Sequence, residues 1–174
     1  SAFAVQQLIA LELLHPAGYQ PRPLRTQPKT LTAWLHVTNV CNLRCDYCYL
    51  AKTEEEMTEA TGRVAVEAVF RSAVRHGFQM VKLKYAGGEA TLNFPLVKVL
   101  HQRAGELATH SGLELREAVL SNGVALTHEM IGFLRDEDIR LMISLDGVGA
   151  AHDAQRKFIN GRGSFSHVAH AVDR

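Results

Sequence analysis

The sequence predicts an α/β fold with a parallel sheet, either a layer or a segment of a barrel, and three observations support this. Apolar stretches of strand character alternate four times with stretches of helical character. Four strand-helix units in series call for right-handed crossovers between parallel strands. Each strand also runs into a loop of distinctive composition, and together these loops fall on the C-terminal edge of the sheet, where parallel folds gather their ligands.

Residues 3–14, "FAVQQLIALELL", carry Val5, Leu8, Ile9 and Leu13 at a spacing that predicts a short helix. Residues 15–29 hold four of the five prolines and no amphipathic period, which predicts an extended linker ahead of a domain over 30–174. "LTAWLHVT" (31–38) is the first predicted strand. After it, Thr61 is the expected cap of a helix over 62–76 that stops at Gly77. "MVKLKYA" (80–86) is the second strand, followed by a helix from about 94 to 109. "LELREAVLS" (113–121) is the third, with a helix over 128–136. "RLMISLD" (140–146) is the fourth, and Ser164 is the expected cap of a last helix.

Composition sets the outer bounds. The chain has 174 residues, 47% hydrophobic and 21% charged, enough for one ordinary core. Its 19 basic and 18 acidic residues leave a formal charge of +1, so no long-range field favours nucleic acid or an anionic membrane. No apolar run reaches a membrane span and no signal peptide is evident, which places the protein in the cytoplasm as an expectation.

The loop after the first strand, "VTNVCNLRCDYCYL", contains all three cysteines, Cys41, Cys45 and Cys48, with three residues and then two between them. So tight a group cannot be a secreted disulfide framework and points to metal or redox chemistry. Zinc in a structural site wants four ligands, and the fourth would be a histidine such as His36, which strand alternation alone does not place. A 4Fe-4S cluster accounts better for three thiolates: they hold three irons and leave one open to a ligand.

The other loops carry weaker signals. "GGEA" (87–90) offers glycines for close backbone approach and the Glu89 carboxylate for an ammonium group. "SNG" (121–123) is a turn on its own terms. Ser144 and Asp146 lie in "SLDG", and Arg156 in "HDAQR" offers a fork for a carboxylate. The triplet Glu54 to Glu56 reads as a solvated segment.

Together these residues resemble the radical S-adenosylmethionine (SAM) enzymes. "CNLRCDYC" is similar to that family's cluster motif, including the aromatic Tyr47 before the third cysteine. "GGEA" looks like its GGE motif, and "SNG" looks like the loop after its third strand. "SLDG…HDAQR…GRGSF" resembles the segment after its fourth strand, pointing toward anaerobic sulfatase maturases and related peptide-modifying enzymes of the SPASM group. The resemblance implies a partial TIM-like barrel in which Cys41, Cys45 and Cys48 hold a 4Fe-4S cluster and S-adenosyl-L-methionine chelates the fourth iron. It implies that Gly87, Gly88 and Glu89 receive the cofactor amine and that Tyr47 and the backbone after Cys48, at Tyr49, lie near its adenine. Ser121 and Asn122 join them in the cofactor site, and Ser144 and Arg156 contact the ribose and carboxylate end. A peptide or protein substrate and a reducing donor such as flavodoxin or ferredoxin are the implied partners, with an oxidoreductase-like or peptide maturase activity.

Two departures stand out. Ala90 replaces the usual proline after GGE, and only four of the family's six strand-helix units are present, with no cysteine-rich region after them. The expectation is a barrel truncated after four units, with an uncovered edge strand and apolar helix faces. Small-molecule or cofactor biosynthesis, an iron-sulfur electron carrier or sensor, and a zinc module are the alternatives. An electron carrier would have no use for Glu89, so Glu89→Ala should leave a carrier untouched and weaken cofactor binding in an enzyme.

Overall fold

The computed structural model describes residues 2–10, 14–15, 17–19 and 28–173. The elements are α1 (Ala2–Ala10), β1 (Thr30–His36), α2 (Glu59–Arg75), β2 (Met80–Ala86), a 3-10 turn (Ala90–Asn93), α3 (Phe94–Ser111), β3 (Glu114–Ser121), α4 (His128–Asp136), β4 (Arg140–Ile143), α5 (Ala150–Gln155) and α6 (Phe165–Val172). The four strands form one sheet in the order β1-β2-β3-β4, with every neighbouring pair parallel. Most of the expected linker, and residues 11–13 of the expected first helix, lie outside the described residues. Among the described residues no helix is long and apolar enough to cross a membrane.

Alternation along the strands sorts side chains onto two faces. One carries Leu35, Val81, Leu83, Tyr85 and Val119, and against it pack Val66, Phe70 and Ala73 of α2 and Val97, Leu100 and Ala104 of α3. The helical residues recur at three- and four-residue intervals, so each helix turns one apolar stripe to the sheet. Burying one such Leu, Val or Phe fully stabilises the fold by about 1.5–3 kcal/mol. The other face, which includes Thr32, Trp34 and Met142, has no helix over it among the described residues, and Trp34 stays 58% exposed. β4 closes the sheet as a four-residue edge.

Several element ends differ from the sequence reading. Thr58, not Thr61, caps α2: its hydroxyl accepts from the Thr61 amide, so the two threonines are the two ends of one capping bond. α3 runs on to Ser111 because Gly112 supplies the left-handed residue that ends it. β4 stops at Ile143, three residues early, where Ser144 turns its amide to the Ser121 carbonyl. The segment "AAHDAQ" folds as α5, a helix too short for its apolar period to show in the sequence. Ser164 precedes α6 without capping it. Asp153 accepts from the Phe165 amide instead, while the Ser164 hydroxyl turns inward to the Arg156 carbonyl at 2.8 Å.

A polar network crosses the helix side of the core. Buried Glu117 accepts from the Tyr85 hydroxyl and lies 2.6 Å from His101 Nδ1, and His101 Nε2 faces Glu137 at 3.3 Å. The hydrogen bond to Glu117 raises the His101 pKa above its ordinary value, against the opposing effect of burial. Protonated His101 therefore contributes stability that is fully present below about pH 6.5 and is lost as pH rises through the folded-state pKa. His101→Gln is expected to cost roughly 2 kcal/mol at pH 6. Urea midpoints should show the gap to wild type narrowing toward pH 9; a gap that is constant with pH would contradict the charged pairing.

Candidate functional site

The loop after β1 is built by pairing with three other segments. The amides of Gly88 and Glu89 donate to the carbonyls of Thr38 and Val40 at 2.7 and 2.9 Å, so the β2 loop runs alongside the approach to Cys41. A Cβ on Gly88 would lie 2.5 Å from the Asn39 carbonyl oxygen. The close approach that the glycines permit is therefore to the chain's own backbone. On the other flank, the Arg44 and Asp46 amides donate to the Lys157 and Gln155 carbonyls, and Leu43 bridges Phe158 with its side chain fully buried. The acidic triplet is exposed but not merely solvated: the Glu55 carbonyl accepts from the Asn39 amide, its carboxylate accepts from Asn39 Nδ2, and Glu56 accepts from Thr38.

Glu89 is 1% exposed. One of its oxygens accepts from the amide and hydroxyl of Thr91, starting the 3-10 turn, and the other accepts from the Asn122 amide at 2.6 Å. Asn122 in turn donates to Asn42 Oδ1 at 2.7 Å and accepts from the Val124 amide. The turn "SNG" is thus locked by its own side chains and tied to both the cysteine loop and Glu89. Glu89→Ala therefore does not separate an enzyme from an electron carrier as cleanly as the sequence suggests, because the carboxylate holds two strand-end loops together in either case.

Arg156 ends α5 and is 8% exposed. Its Nη1 donates to the Tyr47 hydroxyl at 2.5 Å and lies 3.8 Å from Asp146, while the Tyr47 hydroxyl donates to Asp146 at 2.5 Å. Arg156 Nε is buried with no hydrogen-bond partner among the described residues. Burial and the bond to Asp146 raise the Tyr47 pKa. Behind them His152 is fully buried: Nδ1 accepts from the Asp146 amide, so Nε2 carries the proton and donates to Ser164. Burial, then the nearby Arg156 cation, lowers the His152 pKa and keeps it neutral.

Cys41, Cys45 and Cys48 are free, half-buried thiols. Burial raises the Cys45 pKa, with Arg156 opposing. At Cys48 burial also acts upward, but the Lys52 ammonium 2.8 Å from Sγ, with a backbone bond at Leu50, brings the pKa down overall. The twelve residues that the resemblance assigns to cluster and cofactor line one cleft of about 500 Å³: the three cysteines, Tyr47, Tyr49, Gly87, Gly88, Glu89, Ser121, Asn122, Ser144 and Arg156; Asp146 stands behind it, bonded to Tyr47. Lys52, Trp34 and Leu120 line it too and were missed. A cation four residues past the last cysteine was the available signal for Lys52. Among the described residues no His, Cys, Asp and Glu side chains are gathered so as to hold a metal ion. His36 Nε2 is engaged by Asn39 at 2.6 Å.

Most of the parallel β/α sheet and the three thiols at its C-terminal edge fall within the stretch that a family profile matches. The profile described as Radical SAM superfamily covers residues 35–174, and the chain belongs to that superfamily. Its members are enzymes that use a 4Fe-4S cluster and S-adenosylmethionine. The chain is similar to the pre-heme d1 synthase of Dinoroseobacter shibae, 32% identical over 152 residues, which cover 85% of this chain and 34% of that protein. It is also similar to the serine-type anaerobic sulfatase-maturating enzyme of Bacteroides thetaiotaomicron, 28% identical over 141 residues, 77% of this chain and 33% of that one. The solved structure of native anSMEcpe with bound AdoMet and Cp18Cys peptide shares the fold with a TM-score of 0.72 at 23% identity, over 84% of this chain and 39% of that one. The chain spans about a third of the length of these two curated relatives.

The Glu89 bonds give a direct test. Glu89→Gln turns an amide N–H toward the Asn122 N–H and should destabilise the chain by about 1–3 kcal/mol with no cofactor added. Chemical denaturation checks this, and an unchanged midpoint would show that the carboxylate is not structural.

Proposed function

We propose that this chain is the cofactor-holding part of a radical SAM enzyme that modifies a peptide or protein side chain. The observation that carries the reading is the convergence on one cleft of three free thiols from one loop with the ends of β2, β3 and β4. The residues fit a cluster and its cofactor in two respects. Three free thiols on one loop suit a group that accepts each at a separate iron. The buried, unpartnered Arg156 Nε suits an anionic group entering the cleft.

In this reading Cys41, Cys45 and Cys48 hold the 4Fe-4S cluster. The chemistry supplied by the bound pair is reductive cleavage of S-adenosylmethionine, giving a 5′-deoxyadenosyl radical that takes a hydrogen atom from the substrate. The chain's own residues orient and enclose. Glu89 spends three hydrogen bonds on the fold and keeps one lone-pair direction for the cofactor ammonium. Arg156, held by Tyr47 and Asp146, directs Nε to the carboxylate. Tyr49, 93% exposed at the rim, is free to lie on the adenine. Ser121, Asn122 and Ser144 offer polar contacts to the ribose side, and buried Leu43 dries the floor. A cytoplasmic setting with a flavodoxin- or ferredoxin-type donor supplies the electron. The sulfatase-maturating relative supports a peptide substrate; the similarity to pre-heme d1 synthase supports a second reading, synthesis of a small molecule.

Anaerobic reconstitution with iron and sulfide, reduction, and addition of S-adenosylmethionine should change the cluster's electron paramagnetic resonance signal and yield 5′-deoxyadenosine by mass spectrometry. Cys45→Ala is expected to abolish both, and Arg156→Ala to weaken cofactor binding about 10-fold or more. A cluster signal indifferent to S-adenosylmethionine would overturn the proposal.

A further inference from the structure

The uncovered face of the sheet is cationic where a barrel lining is ordinarily branched and apolar. Alternation and register place Lys82 and Lys84 of β2, Arg116 of β3 and Arg140 of β4 on it. Lys82 stands opposite Arg116. Lys84 and Arg140 flank Ala118 in the next row toward the cleft. Strands lie about 4.8 Å apart and alternate residues about 6.6 Å apart, so the four cations occupy a patch of roughly 10 by 7 Å. The one acidic strand residue there, Glu114, is already paired with Arg116 at 2.7 Å. Lys84 sits 4.3 Å over the Trp34 ring, and Lys82 and Arg140 have no partner among the described residues. Like charges facing each other across strands destabilise a sheet. The chain carries this cost in a protein whose total charge is only +1.

We propose that this face binds an acidic peptide segment in extended form and delivers the adjoining residue to the cysteine cleft. This names the substrate class within the peptide reading above and rests on it. Continuity supports the delivery: Trp34, His36, Ala86 and Leu120 belong to the same face and line the cleft. Spacing selects a peptide over a phosphate. Phosphate calls for donors converging on one point, whereas Lys82 and Lys84 are two residues apart on a strand, the separation of alternate carboxylates on an extended chain.

The test is binding to the chain without cluster or S-adenosylmethionine, so it is independent of radical chemistry. The probe is a fluorescein-labelled peptide of alternating glycine and glutamate, compared with its glutamine isostere. The acidic peptide should bind in low salt and weaken as salt rises, and the isostere should not bind. Lys84→Gln with Arg140→Gln should weaken binding about tenfold. Arg71→Gln with Arg75→Gln, on the exposed side of α2, should leave it unchanged. If the double variant on the face does not fold, Lys82→Gln alone, at an unpartnered position, should still weaken binding. Equal binding of both peptides, equal loss in the inner and outer variants, no binding at all, or displacement by tripolyphosphate at lower concentration than by unlabelled acidic peptide would each overturn the proposal. If peptide binding behaves as expected while 5′-deoxyadenosine never forms, the cofactor reading fails and the binding face stands.

Discussion

The buried carboxylate of Glu89 is the constraint on which the site depends. Removing a carboxylate from water is costly unless donors replace the lost solvent, and here three donors do so, two from Thr91 and one from the Asn122 amide. Those donors belong to different strand ends. Solvating the charge therefore fixes the β2 loop against the β3 loop, and the Gly88 and Glu89 amides fix the β2 loop against the run into Cys41. Three of the four strand ends become one body through a single side chain and the backbone on either side of it.

The fourth strand end is held by different physics. Here charged and polar side chains hold the wall: Tyr47, Asp146 and Arg156 close on one another, and a neutral His152 behind them donates to the Ser164 hydroxyl, which in turn donates to the Arg156 carbonyl. The side toward Glu89 is joined by one carboxylate and by main-chain hydrogen bonds. The side toward Arg156 is a network in which one guanidinium nitrogen remains unsatisfied. Such a network gains from a ligand that completes it.

The sequence showed the four strands and their parallel sense, because alternation with helices leaves few other topologies. The bounds of β2 and α4 are as read, since glycines and a threonine cap mark them without competition. Where two residues offered the same chemistry the reading went astray. Thr58 and Thr61 both qualify as caps and share one bond. Ser164 has a capping hydroxyl, but a buried histidine and a carbonyl outbid the helix for it, leaving Asp153 to serve α6 from twelve residues upstream. The cysteine loop was legible from spacing alone. The double duty of Glu89 was not, since its partner Asn122 lies 33 residues on, and neither was Lys52, whose meaning comes from Cys48.

The pairing of the cysteine loop with residues 155–158 also bears on the order of folding. Tyr47 and Arg156 are 109 residues apart, and Asp46 and Lys157 are 111 apart. At a synthesis rate of about 5–20 residues per second, the thiols emerge roughly 5–20 s before the segment that backs them. Strands β1 to β3 and their helices can assemble in that interval, because their contacts are nearer in sequence. One flank of the thiol loop is therefore fixed only after the rest of its surroundings are made. During that interval the thiols remain on a loop with only one of its two flanks paired.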